Sequence, residues 1–142
     1  MRVVLDTNQL VRALMRPPQL ATLLMTWEAG RFTVVCSPAL RVEYDRVLAS
    51  PHIQSLIYPE LLRSFQDHLL PRLEIVAAPE LAGICRDPDD DKVIAVALFG
   101  EVDYLVTEDE DLLTPQVVHL LQRAGVGIIA SSELIDRVQR LT

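Results

Sequence analysis

Cysteine is nearly absent: only Cys36 and Cys85 occur in 142 residues. Two are too few for a disulfide framework. They fit a reduced, cytoplasmic setting in which both thiols are small core or loop residues. Histidine is equally sparse. His52, His68 and His119 have no other His, Cys or acid at metal-ligand spacing, so surface or structural roles are expected of them. No apolar run reaches the roughly 18 residues that span a bilayer. The N-terminus reads as a strand, not as a basic region followed by an apolar signal segment. There is no glycine-rich phosphate loop, no cysteine-nucleophile motif and no evident Ser–His–Asp arrangement. Positive charge is also short, with 13 Lys and Arg against 20 Asp and Glu and a net charge of −7. That argues against a broad basic surface for gripping phosphates. It leaves open a nucleic-acid substrate reached through bound cations, and it suits a partly basic protein partner. Half the residues are hydrophobic and no low-complexity tract occurs, which excludes a disordered chain. The length suits one domain, residues 1–142, with a sizeable core.

What is present is organised around Val3-Val4-Leu5-Asp6-Thr7-Asn8. A short apolar run ending in an acid, a hydroxyl and an amide predicts a buried, parallel strand. Asp6 then stands at the strand's carboxyl end, where open α/β sheets build their sites. The alternative is that Asp6 only caps the next helix.

Strands and helices alternate from there. A helix over Gln9–Met15 is stopped by Pro17 and Pro18. Leu20, Leu23, Leu24 and Trp27 mark a second helix closed by Gly30. Strands are expected at Phe32–Cys36, Leu73–Ala77, Val102–Val106 and Val126–Ala130. Ser37-Pro38 and Thr114-Pro115 pair a hydroxyl N-cap with proline at the first helical position. Ser50-Pro51 opens a short helical piece, and Leu61, Leu62, Phe65 and Leu69 mark a longer one ended by Pro71. Gly125 closes the helix after Thr114, and Ser131 opens a last one carrying Leu134, Ile135, Val138 and Leu141. Val93–Phe99 is apolar on every side and predicts a buried helix. The pattern reads as a three-layer α/β/α domain with a mainly parallel five-stranded sheet.

Four separate segments carry acids. Glu43 lies three and four residues from Leu40 and Val47, at the flank of its helix's inward face. It should find a cation or hydrogen-bond donors there, or else reach solvent or pair with Arg46. Asp87-Pro88-Asp89-Asp90-Asp91-Lys92 places four acids in five positions at a helix start. Capping and the helix dipole need one or two of them. Thr107-Glu108-Asp109-Glu110-Asp111 follows a strand. Two carboxylates about 5 Å apart repel by roughly 3 kcal/mol at an effective dielectric near 20. Several such pairs call for a divalent ion or for protonation. Oxygen-only ligands favour Mg²⁺ or Mn²⁺ over Zn²⁺. Such ions orient water and stabilise charge on a phosphodiester. A phosphatase of the haloacid dehalogenase type would need a second Asp two positions after Asp6, where Asn8 stands. A phosphoaspartate receiver would offer paired acids near its first strand, and only Asp6 is there.

Taken together, Val4-Leu5-Asp6-Thr7-Asn8, Glu43-Tyr44, Asp87 to Asp91 followed by Ile94-Ala95, and Leu105-Val106-Thr107 with Asp109 and Asp111 resemble the motifs of PIN-domain ribonucleases, in the family's order. The likeness is greatest to short, single-domain PIN proteins that act as toxins of toxin–antitoxin pairs, the VapC-related group. The resemblance implies Mg²⁺- or Mn²⁺-dependent endonucleolytic cleavage of RNA. Carried over by position, its four metal-binding and catalytic acids are Asp6, Glu43, Asp91 and Asp109. Asn8 and Thr107 support metal or water, while Asp89, Asp90 and Asp111 are the reserve ligands. In that scheme Asp6, Asp91 and Asp109 hold one metal, and Glu43 holds a second or positions the attacking water. Arg12 and Arg41 are candidates for holding phosphates. The family also implies a homodimer, a cognate antitoxin that blocks the site, and no membrane association. The alternatives are a catalytically weak binding module of the same fold, or a nuclease for RNA processing or DNA flaps.

Overall fold

The computed structural model describes residues 1–15 and 22–140. The expected helix stop at Pro17-Pro18, Leu20 of the second stripe and Leu141 of the last one lie outside the described residues.

Five parallel strands form one sheet: β1 (Arg2–Leu5), β2 (Thr33–Cys36), β3 (Glu74–Ile75), β4 (Tyr104–Val106) and β5 (Gly127–Ile129). Their order is β3-β2-β1-β4-β5. Successive strand residues point to opposite faces. Val3, Val4 and Leu5 are all at most 1% exposed, so both faces of the central strand are covered by helices.

The helices are α1 (Thr7–Leu14), α2 (Leu23–Glu28), α3 (Pro38–Leu48), α4 (Pro51–Gln54), α5 (Pro59–His68), α6 (Asp91–Phe99), α7 (Pro115–Arg123) and α8 (Ser131–Arg140). Local chemistry sets many of their ends. The Ser37 hydroxyl accepts from the Leu40 N–H at 3.1 Å, and the Thr114 hydroxyl accepts from the Val117 N–H at 3.4 Å. Gly30 and Gly125 follow α2 and α7 with φ of 76° and 77°, the left-handed conformation that ends a helix and favours glycine.

The strands expected at Phe32–Cys36, Val102–Val106 and Val126–Ala130 each lose one or two end residues, and three further expectations shift. β3 contracts from Leu73–Ala77 to Glu74–Ile75, because an edge strand pairs only with β2 and both its residues are exposed. α6 is buried over Val93–Ala97, but Phe99 is 53% exposed, since the helix's last turn runs past the core. α1 begins at Thr7, immediately after the strand, rather than at Gln9. No helix among the described residues is long and apolar enough to cross a membrane.

This strand order places the site. The chain moves outward from β1 to β2 and β3, then crosses back to lay β4 on the other side of β1. Strand order reverses between β1 and β4, and loops diverge there at the carboxyl ends. Leu5 pairs with Val106, so Asp6 and Thr107 leave the sheet side by side.

Candidate metal centre

One hydroxyl ties the first acid to the last acidic loop. Thr107 Oγ1 donates to Asp6 Oδ2 at 2.9 Å and accepts from the Asp109 N–H at 3.0 Å. Asp109 Oδ1 in turn accepts from the Asp111 N–H at 2.9 Å, capping a 3₁₀ turn over Glu110–Leu112. Buried Leu112 pins that turn to the core. Asp6 occupies the N-cap position of α1, yet its carboxylate makes no capping hydrogen bond. Its carboxylate is committed to Thr107 instead. Asp6 is 2% exposed, and burial is the main reason its pKa is raised. The Thr107 hydroxyl and the nearby backbone N–H of Asn8 pull it down, while the charges of Asp109 and Glu43 add to the rise.

The acid run before α6 splits into four different fates. Asp87 Oδ1 accepts from the Asp89 N–H at 3.0 Å and caps a 3₁₀ turn over Pro88–Asp90. Asp89 is exposed and lies 3.6 Å from Lys92 Nζ. Asp91 is 3% exposed, and its Oδ1 accepts from the Cys85 N–H at 2.7 Å. Asp90 alone of the run joins Asp109 and Asp111, in a group whose ligand oxygens lie within 4.8 Å of one another. Of the four acids expected from sequence, only Asp109 is in this group; Asp6, Glu43 and Asp91 are not, while Asp90 and Asp111, reserve ligands by sequence, are. Successive residues at a helix start point about 100° apart, so two neighbouring acids do not face one point. Asp90 is pushed up to about 7, by burial first and then by Asp109, Asp6, Asp87 and Asp111.

Glu43 is 7% exposed, as its place at the edge of the α3 stripe predicts. Its Oε2 accepts from Thr7 Oγ1 at 2.6 Å, and its Oε1 lies 3.5 Å from Lys92 Nζ. The partner is thus Lys92 and not Arg46. Neighbouring Tyr44 is buried, and its hydroxyl donates to the Leu5 carbonyl, docking α3 on the end of β1. Burial, followed by the charges of Cys36, Asp6 and Glu43, raises the Tyr44 pKa, so it remains a neutral donor. Lys92 and Thr7 were not given roles from sequence. The signal for Lys92 was there: a cation directly after the acid run, three residues from Asp89.

Asp6, exposed Asn8, Gln9, Val11, Arg12, Glu108 and Asp109 line an open cleft of about 410 Å³. Arg12 is ion-paired with Glu108 across it. Arg86 Nε lies 3.2 Å from Asp111 Oδ1. Arg41 instead pairs with Asp45 along α3, at 3.2 Å. Burial first pushes the Cys36 and Cys85 thiols up to about 12, and at Cys85 the Asp91 hydrogen bond and nearby acids add to it, which favours the protonated form of both.

The donor set fits a hard divalent cation. Asp90 Oδ2 is buried without a hydrogen-bond partner among the described residues. Oxygens bound to one ion at about 2.0–2.6 Å lie at most about 4–5 Å apart, matching the spread of this group.

Residues 2–111 match the sequence profile of the PIN domain. The chain belongs to the PIN-domain family. No curated protein matches it significantly. PIN domains are generally metal-dependent nucleases, which makes a nuclease-type hydrolase the supported class for this one. The match covers all four acid-bearing segments, from Asp6 through Asp111.

Proposed function

We propose that this PIN domain is a Mg²⁺- or Mn²⁺-dependent endoribonuclease, and that its setting is the toxin side of a toxin–antitoxin pair. One observation carries the catalytic reading: the orphaned Asp90 Oδ2 sits within a three-carboxylate group at the sheet's switch point. Asp90, Asp109 and Asp111 would hold the metal, with Asp6 beside them. A divalent ion bound there supplies Lewis acidity toward a phosphate oxygen and activates water near neutral pH.

The chain's own groups do the rest. Thr107 fixes Asp6 at the wall of the cleft, where its carboxylate would accept the proton of an attacking water. The water oxygen bonds to phosphorus in line as the bond to the 3′ oxygen breaks, and that oxygen leaves as a hydroxyl after taking a proton from solvent. Arg12 lines the same cleft and is the cation suited to a flanking phosphate. The toxin assignment draws on the likeness of its acidic motifs to those of VapC-related proteins. An antitoxin inserting a basic segment would match the charge of −7.

The test is cleavage of a circular RNA with Mn²⁺, with EDTA, and with Asp90→Asn. Linearisation that requires metal and falls at least 100-fold in Asp90→Asn is the expected result. Cleavage that survives EDTA, or equal activity in the variant, would refute the assignment.

A further inference from the structure

Two guanidinium groups meet the acidic loop after β4, held by residues on either side of Asp109 in the chain. Glu108, the residue before it, pairs with Arg12 of α1. The two residues after it hold Arg86. An Nη2–H of Arg86 donates to the Glu110 carbonyl at 3.2 Å, and its Nε lies 3.2 Å from Asp111 Oδ1. Asp111 belongs with Asp90 and Asp109 to the group whose ligand oxygens lie within 4.8 Å of one another. Among the described residues, Arg86 is the cation paired with a member of that group. It comes from the other acidic segment, directly before Asp87 and four residues before Asp90.

This contact is built to be exchanged. The Arg86 side chain is 65% exposed and that of Asp111 is 43% exposed. An ion pair so open to water adds little to stability, so a structural clamp is a poor account of it. Nη1 has no partner among the described residues. A guanidinium presents its N–H groups as a planar fork that matches two phosphate oxygens. A dication held by Asp90, Asp109 and Asp111 would share the Asp111 charge and loosen its hold on Arg86. The donors then stand beside whichever phosphate oxygen the ion polarises. Other cations are engaged elsewhere: Arg41 with Asp45, and Lys92 with Glu43 and Asp89. A chain with a net charge of −7 must bring positive charge to the site itself if it is to meet a polyanion.

We infer that Arg86 is a catalytic residue: once metal binding loosens it from Asp111, its guanidinium donates to a non-bridging oxygen of the scissile phosphate. This rests on the nuclease reading above and names the side chain that meets the charge developing in its transition state. Arg86 forms no covalent bond and gives up no proton. Its hydrogen bonds strengthen as negative charge builds on the phosphate oxygens. Arg12, held from the other side of Asp109, is left for the neighbouring phosphate.

Two measurements on the full chain test this: calorimetric Mn²⁺ titration, and cleavage of a circular RNA at saturating Mn²⁺ over a range of salt. Arg86→Gln should lower kcat at least 30-fold, yet bind Mn²⁺ with Kd no more than threefold weaker than wild type, because it removes a cation and no ligand. Its slope of log kcat/KM against log salt should be shallower by about 0.7, the value for one lost contact to a single strand. Arg86→Lys, which keeps the charge and loses the fork, should regain the slope but not the full kcat. Both changes are at an exposed side chain, and an unchanged far-ultraviolet circular dichroism spectrum checks the fold. A smaller loss of kcat in Arg86→Gln, an unchanged slope there, or a slope not regained in Arg86→Lys overturns the inference. Mn²⁺ binding weakened beyond threefold overturns it too, since Arg86 would then be a support for the acids. Wild-type protein that binds no Mn²⁺ or leaves the RNA intact instead strikes down the nuclease reading and this inference with it.

Discussion

Asp90 and Asp91 are adjacent, identical in chemistry and opposite in expected behaviour, so exchanging each in turn separates site from scaffold. Asp91 is almost fully buried and spends its charge on the Cys85 N–H at 2.7 Å. Hydrogen bonds to charged groups contribute about 1.5–3 kcal/mol, and removing the acceptor leaves a buried donor unsatisfied. Asp91→Ala should therefore cost about 2–3 kcal/mol. For a domain of this size that lowers Tm by roughly 5–10 °C. Its metal response should survive, because Asp91 is outside the clustered acids. Asp90→Asn should do the reverse. It removes one of the charges that repel Asp109 and Asp111, so the metal-free protein should melt higher, by about 1–2 kcal/mol after solvent screening. It should also lose its stabilisation by Mn²⁺. For a single site at about 100 times Kd, that stabilisation is about 2.7 kcal/mol in the wild type. Thermal melts in EDTA and in saturating Mn²⁺ give all four numbers. An Asp91→Ala protein that ignores Mn²⁺, beside an Asp90→Asn protein that still responds, would show that the division of labour between the two residues is reversed.

The raised pKa of Asp90, from 3.8 to about 7, sets a pH dependence. The unfolded chain releases that proton near pH 4 and the folded, metal-free protein only near 7, so the folded state binds more protons between these limits. The contribution of Asp90 to metal-free stability should thus fall as pH rises from about 4 to 7, read as wild type minus Asp90→Asn in melts across that range; a difference that does not change with pH removes the effect. Thr107→Val should break the link from Asp6 to Asp109 and weaken Mn²⁺ binding at least tenfold while the far-ultraviolet circular dichroism is unchanged; unaltered affinity would make the hydroxyl dispensable. Gly100→Ala should destabilise by about 1–3 kcal/mol in urea titration, since an added Cβ would sit 2.6 Å from the Val96 carbonyl oxygen, and neutrality would mean that the end of α6 gives way.

Much of the architecture is written in short stretches of chain. Ser37-Pro38 and Thr114-Pro115 cap their helices, Gly30 and Gly125 end theirs, and Val3–Leu5 runs buried through the centre of the sheet. These depend on dihedral preferences and on hydrogen bonds between residues three or four apart, which a linear sequence displays. Strand lengths were less legible. β3 keeps two residues of an expected five because its extent depends on a neighbour that sequence does not show. At the site, the positions of Asp6 and Asp109 at strand ends were readable from where apolar runs stop. The choice among Asp89, Asp90 and Asp91 was not.

The amino-acid order by itself determined that acids from four segments would be carried on an alternating strand and helix framework, and it assigned the chain to its family. Tertiary structure alone decided which acid of the run meets Asp109 and Asp111, and that Glu43 faces Lys92 rather than Arg46. Each step along a helix start turns the side chain by about 100°. Which one faces the cleft therefore depends on how α6 seats against β1 and α3, a contact between residues far apart in the chain.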